Sequence, residues 1–173
     1  MGERYPDGIS ESHVSIRRWH RRANPLSFIT LAAIITIALS GALGGLPNPA
    51  RTAAGPKARL TLEAPEIARS GMFFEMRLRV DAVGAIAKPI VAVSPAYWRE
   101  LTVNTMIPAA AEESYGIGGY RFGYAPLAAG DTLLIKVDGQ INPALVGGTA
   151  GRITLYDGEA PLAALPARIR VRP

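Results

Sequence analysis

The chain has 173 residues, 49% of them hydrophobic, no cysteine, and 19 basic against 14 acidic residues for a formal charge of +5. Without cysteine there is no disulfide framework, no thiolate metal site and no cysteine nucleophile, so a packed core has to supply the stability. The positive charge does not point to nucleic acid, because from Lys57 onward 13 basic residues face 11 acidic ones and the excess lies near the N-terminus.

Residues 1–24 mix Gly, Pro, Ser and charge without apolar periodicity, the pattern of a disordered arm. Its end is basic, with Arg17, Arg18, Arg21 and Arg22 around Trp19. Arginines beside an apolar helix stay cytoplasmic, and an indole sits comfortably at headgroup level. The Arg17-Arg18 pair opens a twin-arginine export signal, but the residues that follow do not continue that pattern.

Residues 25–46, PLSFITLAAIITIALSGALGGL, carry no charge. As a helix they would span roughly 33 Å, close to the apolar thickness of a bilayer, and their Ser and Thr hydroxyls can bond back to helix carbonyls. The expectation is a single-pass signal anchor in the cytoplasmic (inner) membrane, N-terminus inside and the remainder outside. Cleavage competes with retention, because Ser40-Gly41-Ala42 offers small residues after an apolar run. Gly41 and Gly45, extended by Ser40 and Gly44, would give a helical span a small face suited to a homodimer. Residues 47–57, with three prolines, read as an extended linker.

From Ala58 the hydrophobic period becomes two. Leu60 and Leu62 alternate with polar residues. After the turn at Arg69-Ser70-Gly71, Phe74, Met76, Leu78 and Val80 alternate with Glu75, Arg77, Arg79 and Asp81, a half-buried antiparallel strand. Further strands are expected at Ile90–Val93, Leu101–Thr105, Tyr120–Tyr124, Leu133–Val137, Ile153–Leu155 and Ile169–Val171. Turn signals separate them: Ser94-Pro95, Gly130-Asp131, Asp138-Gly139, Gly147-Gly148 and Asp157-Gly158. Short strands at this spacing, with no helical pattern between them, predict an all-β antiparallel sandwich of about eight strands over residues 58–173.

The turn ending in Gly71, the long alternating strand, LAAGD leading into LLIKV, and the closing RIRV strand resemble bacterial exported immunoglobulin-like modules of the cell-adhesion-related type. The resemblance covers Ala58 to Val171 and rests on pattern; the cysteines and tyrosine corner of antibody domains are absent. It implies attachment, spacing or recognition rather than catalysis.

Both histidines, His13 and His20, precede the apolar segment, so the β region lacks the usual general base and soft metal ligands. Glu112-Glu113 read as a solvated loop. Asp138 and Asp157 precede glycines, where Asp favours turns. Asp131, Asp138 and Asp157 would need to converge to hold calcium, and their spacing matches no calcium loop. Gly116–Tyr120 lacks the Lys-Ser/Thr ending of a phosphate loop. No metal, cofactor or enzymatic activity is therefore expected.

The residues with the composition of a recognition surface are Tyr97, Trp98, Arg99, Tyr120 and Arg121, aromatic and arginine side chains near breaks and glycines. For Trp98 burial as part of the core is the favoured role and contact the alternative, because large aromatics are usually well buried. The resulting expectation is a membrane-anchored immunoglobulin-like domain that binds or spaces an envelope or membrane protein. The alternative is a cleaved, soluble sandwich that binds a small ligand, carbohydrate or metal.

Overall fold

The computed structural model describes residues 6–14, 18–42 and 44–172. The chain divides into two compact units, Met1–Ala42 and Leu43–Pro173.

In the first unit a single turn, α1 (Glu11–Val14), precedes α2 (Arg18–Leu39). The expected helix over 25–46 is thus shifted toward the N-terminus. Pro25 lies inside it, and the basic segment that was expected to be disordered forms its first turns. Its end has a local cause. Ser40 N still donates to Thr36 O at 2.9 Å and Ser40 Oγ donates to Ile37 O at 2.7 Å, but Gly41 takes φ +73°. A left-handed residue just past the last turn stops a helix. Thr36 Oγ1 donates to Ala32 O at 2.7 Å, the back-bonding expected of a hydroxyl in an apolar helix. Gly41, Gly44 and Gly45 all have positive φ, so the small face expected for helix pairing is not helical. The apolar part of α2, from Pro25 to Leu39, is roughly 22 Å long. Among the described residues no helix is long and apolar enough to cross a membrane.

The second unit is two antiparallel sheets with one short helix. In chain order its elements are β1 (Ala50–Ala54), β2 (Ala58–Glu63), β3 (Ile67–Arg69), β4 (Phe73–Ala82), β5 (Pro89–Val93), α3 (Pro95–Trp98), β6 (Leu101–Ile107), β7 (Glu112–Gly116), β8 (Gly119–Gly123), β9 (Thr132–Ile141), β10 (Gly147–Asp157) and β11 (Ala160–Arg172). One sheet has the order β1-β2-β4-β9-β6 and the other β3-β11-β10-β5-β8-β7. Among the described residues only β3 and β11 pair in parallel.

β4 follows its alternation closely. Phe74, Met76, Leu78 and Val80 are buried, while Glu75 and Arg77, then Arg79 and Asp81, pair on the outer face at 2.6 and 2.8 Å. The opposite layer supplies Val91, Val93, Ile153, Leu155, Leu165 and Ile169 to the same core.

Three strands lie where none was expected. β1 falls within the supposed linker, because Pro47, Pro49 and Pro56 flank Ala50–Ala54 without interrupting it. β3 is three residues long, too short to show a period. β7 contains Glu112 and Glu113, expected in a loop; it is exposed throughout because it closes the sheet's edge.

Two glycine-containing dipeptides expected as turns lie in strands. Asp138-Gly139 sits within β9, where a Cβ on Gly139 would be 2.8 Å from the Phe74 ring and 2.9 Å from Thr102 O. That glycine serves close packing rather than reversal. Gly147-Gly148 opens β10 opposite Val171 and Arg170. The turns at Ser70-Gly71, Gly130-Asp131 and Asp157-Gly158 form as expected.

Candidate functional site

The site is built around α3. Pro95 occupies its first turn, where a missing N–H costs nothing. The helix lies directly over β10 at Gly151, where any Cβ would overlap Ser94 Oγ and sit 2.8 Å from Tyr97 Cβ. Thr149 Oγ1 donates to Ala96 O at 2.5 Å, and Arg152 N donates to Ser94 Oγ at 2.9 Å, fastening both ends of the turn to β10.

Fixed this way, α3 points its two aromatics inward. Tyr97 is fully buried, with its hydroxyl 3.9 Å from Met76 Sδ. Burial pushes its phenol pKa well above the usual range. Trp98 is 9% exposed and tilts against Phe122 at a centroid separation of 5.7 Å. Arg99 leaves the core and pairs with Glu100 at 3.4 Å on the surface.

Trp98 and Phe122 form the floor of an open cleft of about 380 Å³ between the edge strand β6 and the β7–β8 hairpin. Val103 and Met106 form one wall; Tyr120, Glu113 and Ser114 form the other. Asn104 and Thr105 stand at the rim. The bulge between Val103 and Thr105 explains Asn104: an extra residue there has no partner in β9. Behind the cleft, Tyr124 donates to Met106 Sδ at 3.2 Å, and burial, with Glu113 nearby, pushes its phenol pKa up to about 12.

Arg121 borders the cleft with its backbone but sends its guanidinium to the opposite face of the sheet. That side chain is only 7% exposed. It donates to Ile117 O at 2.8 Å, to Gly158 O at 2.9 Å and to Glu159 Oε1 at 3.2 Å. The glycine-rich stretch at 116–119 is therefore no loose loop. It folds over Ala92 and Tyr156, a small second core with Ile90.

Of the five residues singled out from the sequence, Trp98, Tyr120 and Arg121 meet at this cleft. Tyr97 lies beneath it and Arg99 beside it. Tyr120 stands edge-on to the exposed Tyr115 at 5.4 Å, extending the aromatic surface onto β7. Asn104, Met106 and Ser114 were not legible beforehand, because a strand edge becomes a wall only when a second edge faces it. Of the basic collar, Arg17 lies outside the described residues, and Arg18, Trp19, Arg21 and Arg22 belong to α2.

The carboxylates weighed for calcium go to separate partners. Asp131 caps Ala128 N at 2.8 Å, Asp138 accepts from Thr105 at 3.0 Å, and Asp157 accepts from Lys88 N at 2.9 Å. No group of three or more His, Asp or Glu gathers among the described residues.

The sequence matches no protein-family model and no curated protein.

Proposed function

We propose that this is an exported, membrane-tethered protein whose immunoglobulin-like sandwich recognises another envelope or membrane protein. The carrying observation is the free edge of β7, exposed along all five residues and lying beside the aromatic cleft. Gly116 and Gly119 close a two-residue turn, so the pairing alternation leaves the N–H and C=O of Tyr115 and Glu113 facing away from β8. An extended partner segment can add to such an edge by backbone bonding, with a side chain entering the neighbouring cleft for selectivity.

The immunoglobulin-like reading is supported by strand order. Taking β2, β4, β5, β6, β9, β10 and β11 as A to G reproduces A-B-E-D in one sheet and C-F-G in the other. The β7–β8 hairpin is then an addition beside the C strand. Tethering is supported by α2, whose Leu26, Phe28, Ile29, Leu31, Ile34 and Ile35 are all exposed around an uncharged stretch. Side chains of that kind all round a helix call for an apolar surrounding.

One observation favours a cleaved form. α2 stops at Leu39 and leaves Ser40-Gly41-Ala42 outside the helix, with Ser40 and Ala42 exposed on either side of a buried Gly41. A soluble sandwich of that kind would use the cleft, whose volume suits a small molecule, for a ligand.

Photo-crosslinking from Tyr115 in intact cells, with Arg79 on the outer face of the other sheet as control, tests the main reading. A protein adduct from Tyr115 alone is expected, lost in Glu113→Pro and kept in Glu113→Ala. Equal labelling from both positions, or indifference to the proline, refutes it. The size of the mature chain in isolated membranes separates anchor from cleaved signal, since removal through Ala42 takes away about a quarter of it.

A further inference from the structure

The outer faces of the two sheets treat their charges differently. On the β2-β4-β9 face, cations and carboxylates alternate and pair: Arg77 with Glu75, Arg79 with Asp81, and Lys136 with Glu75 at 2.8 Å and Asp138 at 3.5 Å. On the β3-β11-β10 face, Arg69, Arg152, Arg168, Arg170 and Arg172 are all exposed, and none has an ion pair among the described residues. The sequence total hides this asymmetry, because the region as a whole is nearly neutral.

Register draws these arginines together. Arg168, Arg170 and Arg172 alternate along β11 with buried Ala167, Ile169 and Val171, so they share the outer face. Arg172 is the partner of Arg69 across the parallel pair with β3. On the other side their neighbours in β10 are Gly148 and Ala150, too small to screen a guanidinium. Glu66, the carboxylate just before β3, is already held by Arg51.

This face also adjoins the point where the chain enters the sandwich. Gly44 lies against Ile67 of β3, Asn48 Nδ2 donates to Glu75 O at 2.9 Å, and β1 starts opposite Glu63, all at the end where β3 and β11 finish. Val146, 87% exposed, stands at that end on the loop before β10, and Leu46 is exposed on the incoming segment. Only ten residues separate the end of α2 from β1, a reach of at most about 35 Å.

We propose that the β3-β11-β10 face is a docking surface for anionic phospholipid headgroups, with the Val146 loop dipping into the interface. The choice of lipid rests on the membrane tether proposed above; the charge pattern stands without it. Among polyanions, nucleic acid fits less well, since single strands are gripped by aromatic platforms and none lies among these arginines. A charged surface within a short tether's reach meets lipid at high effective concentration. Each arginine is expected to raise the docked population about fivefold on an anionic bilayer.

The absence of native cysteine makes the test direct. The full chain carrying Val146→Cys with a spin label is reconstituted in phosphatidylcholine vesicles, with or without phosphatidylglycerol. The label should be shielded from a water-soluble nickel chelate in the anionic vesicles, and exposed in the neutral ones and in the Arg170→Glu/Arg172→Glu variant. Circular dichroism and a melting curve confirm that this variant is folded. A second label at Ile34→Cys reports the tether separately. If Ile34 lies in lipid while Val146 stays aqueous on anionic vesicles, the docking surface is refuted and the tether stands. If Ile34 is aqueous but Val146 is shielded by anionic vesicles, the surface stands and the tether fails. Both labels aqueous refutes both. Shielding by an oligonucleotide or polyuronate, and not by lipid, also overturns the proposal.

Discussion

The Arg121 guanidinium lies 5.1 Å from the centroid of the Tyr156 ring and donates to two backbone carbonyls from separate turns. A cation this deeply buried has to be compensated locally, and the compensation ties the β7–β8 turn to the β10–β11 turn. What reads in the sequence as a recognition arginine is thus a clamp that holds one wall of the cleft.

Arg121→Ala should cost about 2–4 kcal/mol, since it abandons two carbonyls and a cation–π contact. Arg121→Lys should recover less than half of that, because an ammonium lacks the fork that reaches both turns. Urea denaturation of the two variants checks this. A loss below about 1 kcal/mol for Ala would mean that the turns hold themselves.

Trp98 fills the cleft floor against Phe122, so Trp98→Ala should cost about 3–5 kcal/mol. Trp98→Phe should cost distinctly less. Near-normal stability of Trp98→Ala combined with loss of partner crosslinks would assign the indole to contact rather than to the core.

Gly118 has φ +88°, and a Cβ there would be 2.9 Å from Ala92 Cβ. Gly118→Ala should therefore lose more than about 1 kcal/mol and lift the hairpin from its bed. Faster amide exchange at Ile117–Gly119, with β9 unchanged, is the expected signature.

Tyr124 and Tyr97 both have folded phenol pKa values raised by burial, Tyr124 to about 12. The unfolded chain releases these protons near pH 10, and the folded one does not. Stability is then complete below pH 10 and falls as the pH rises toward 12, by on the order of 2 kcal/mol for Tyr124. Tyr124→Phe should flatten part of this decline. Absorbance titration should show these two of the six tyrosines ionising only as the protein unfolds.

Asp157 accepts from the Lys88 backbone N–H and lies 3.5 Å from Lys57 Nζ, and these contacts hold its carboxyl below the usual range. Its contribution is present above the ordinary carboxylate pKa and is lost as the pH falls through the lowered one. Asp157→Ala should therefore lower the melting temperature at neutral pH and converge with the parent in acid. A constant gap across pH would assign the effect to shape rather than charge.

By itself the sequence determined whatever depends on a local period. The strict alternation that starts at Ala58 identifies β2 and β4, though not β1 before them, and Phe74, Met76, Leu78 and Val80 identify a core face because side chains in a strand alternate. Gly71, Gly130 and Gly158 identify turns, since left-handed backbone suits few other residues. Tertiary structure decided everything that depends on which strands become neighbours. Gly139 reads as a turn residue in the sequence, and Gly151 carries no signal there, yet both are places where a ring or a helix presses on a strand. Glu112-Glu113 became a sheet edge, Arg121 turned away from the cleft it borders, and five arginines from three strands gathered on one face. Pairing between distant segments sets those positions, and no local pattern encodes it.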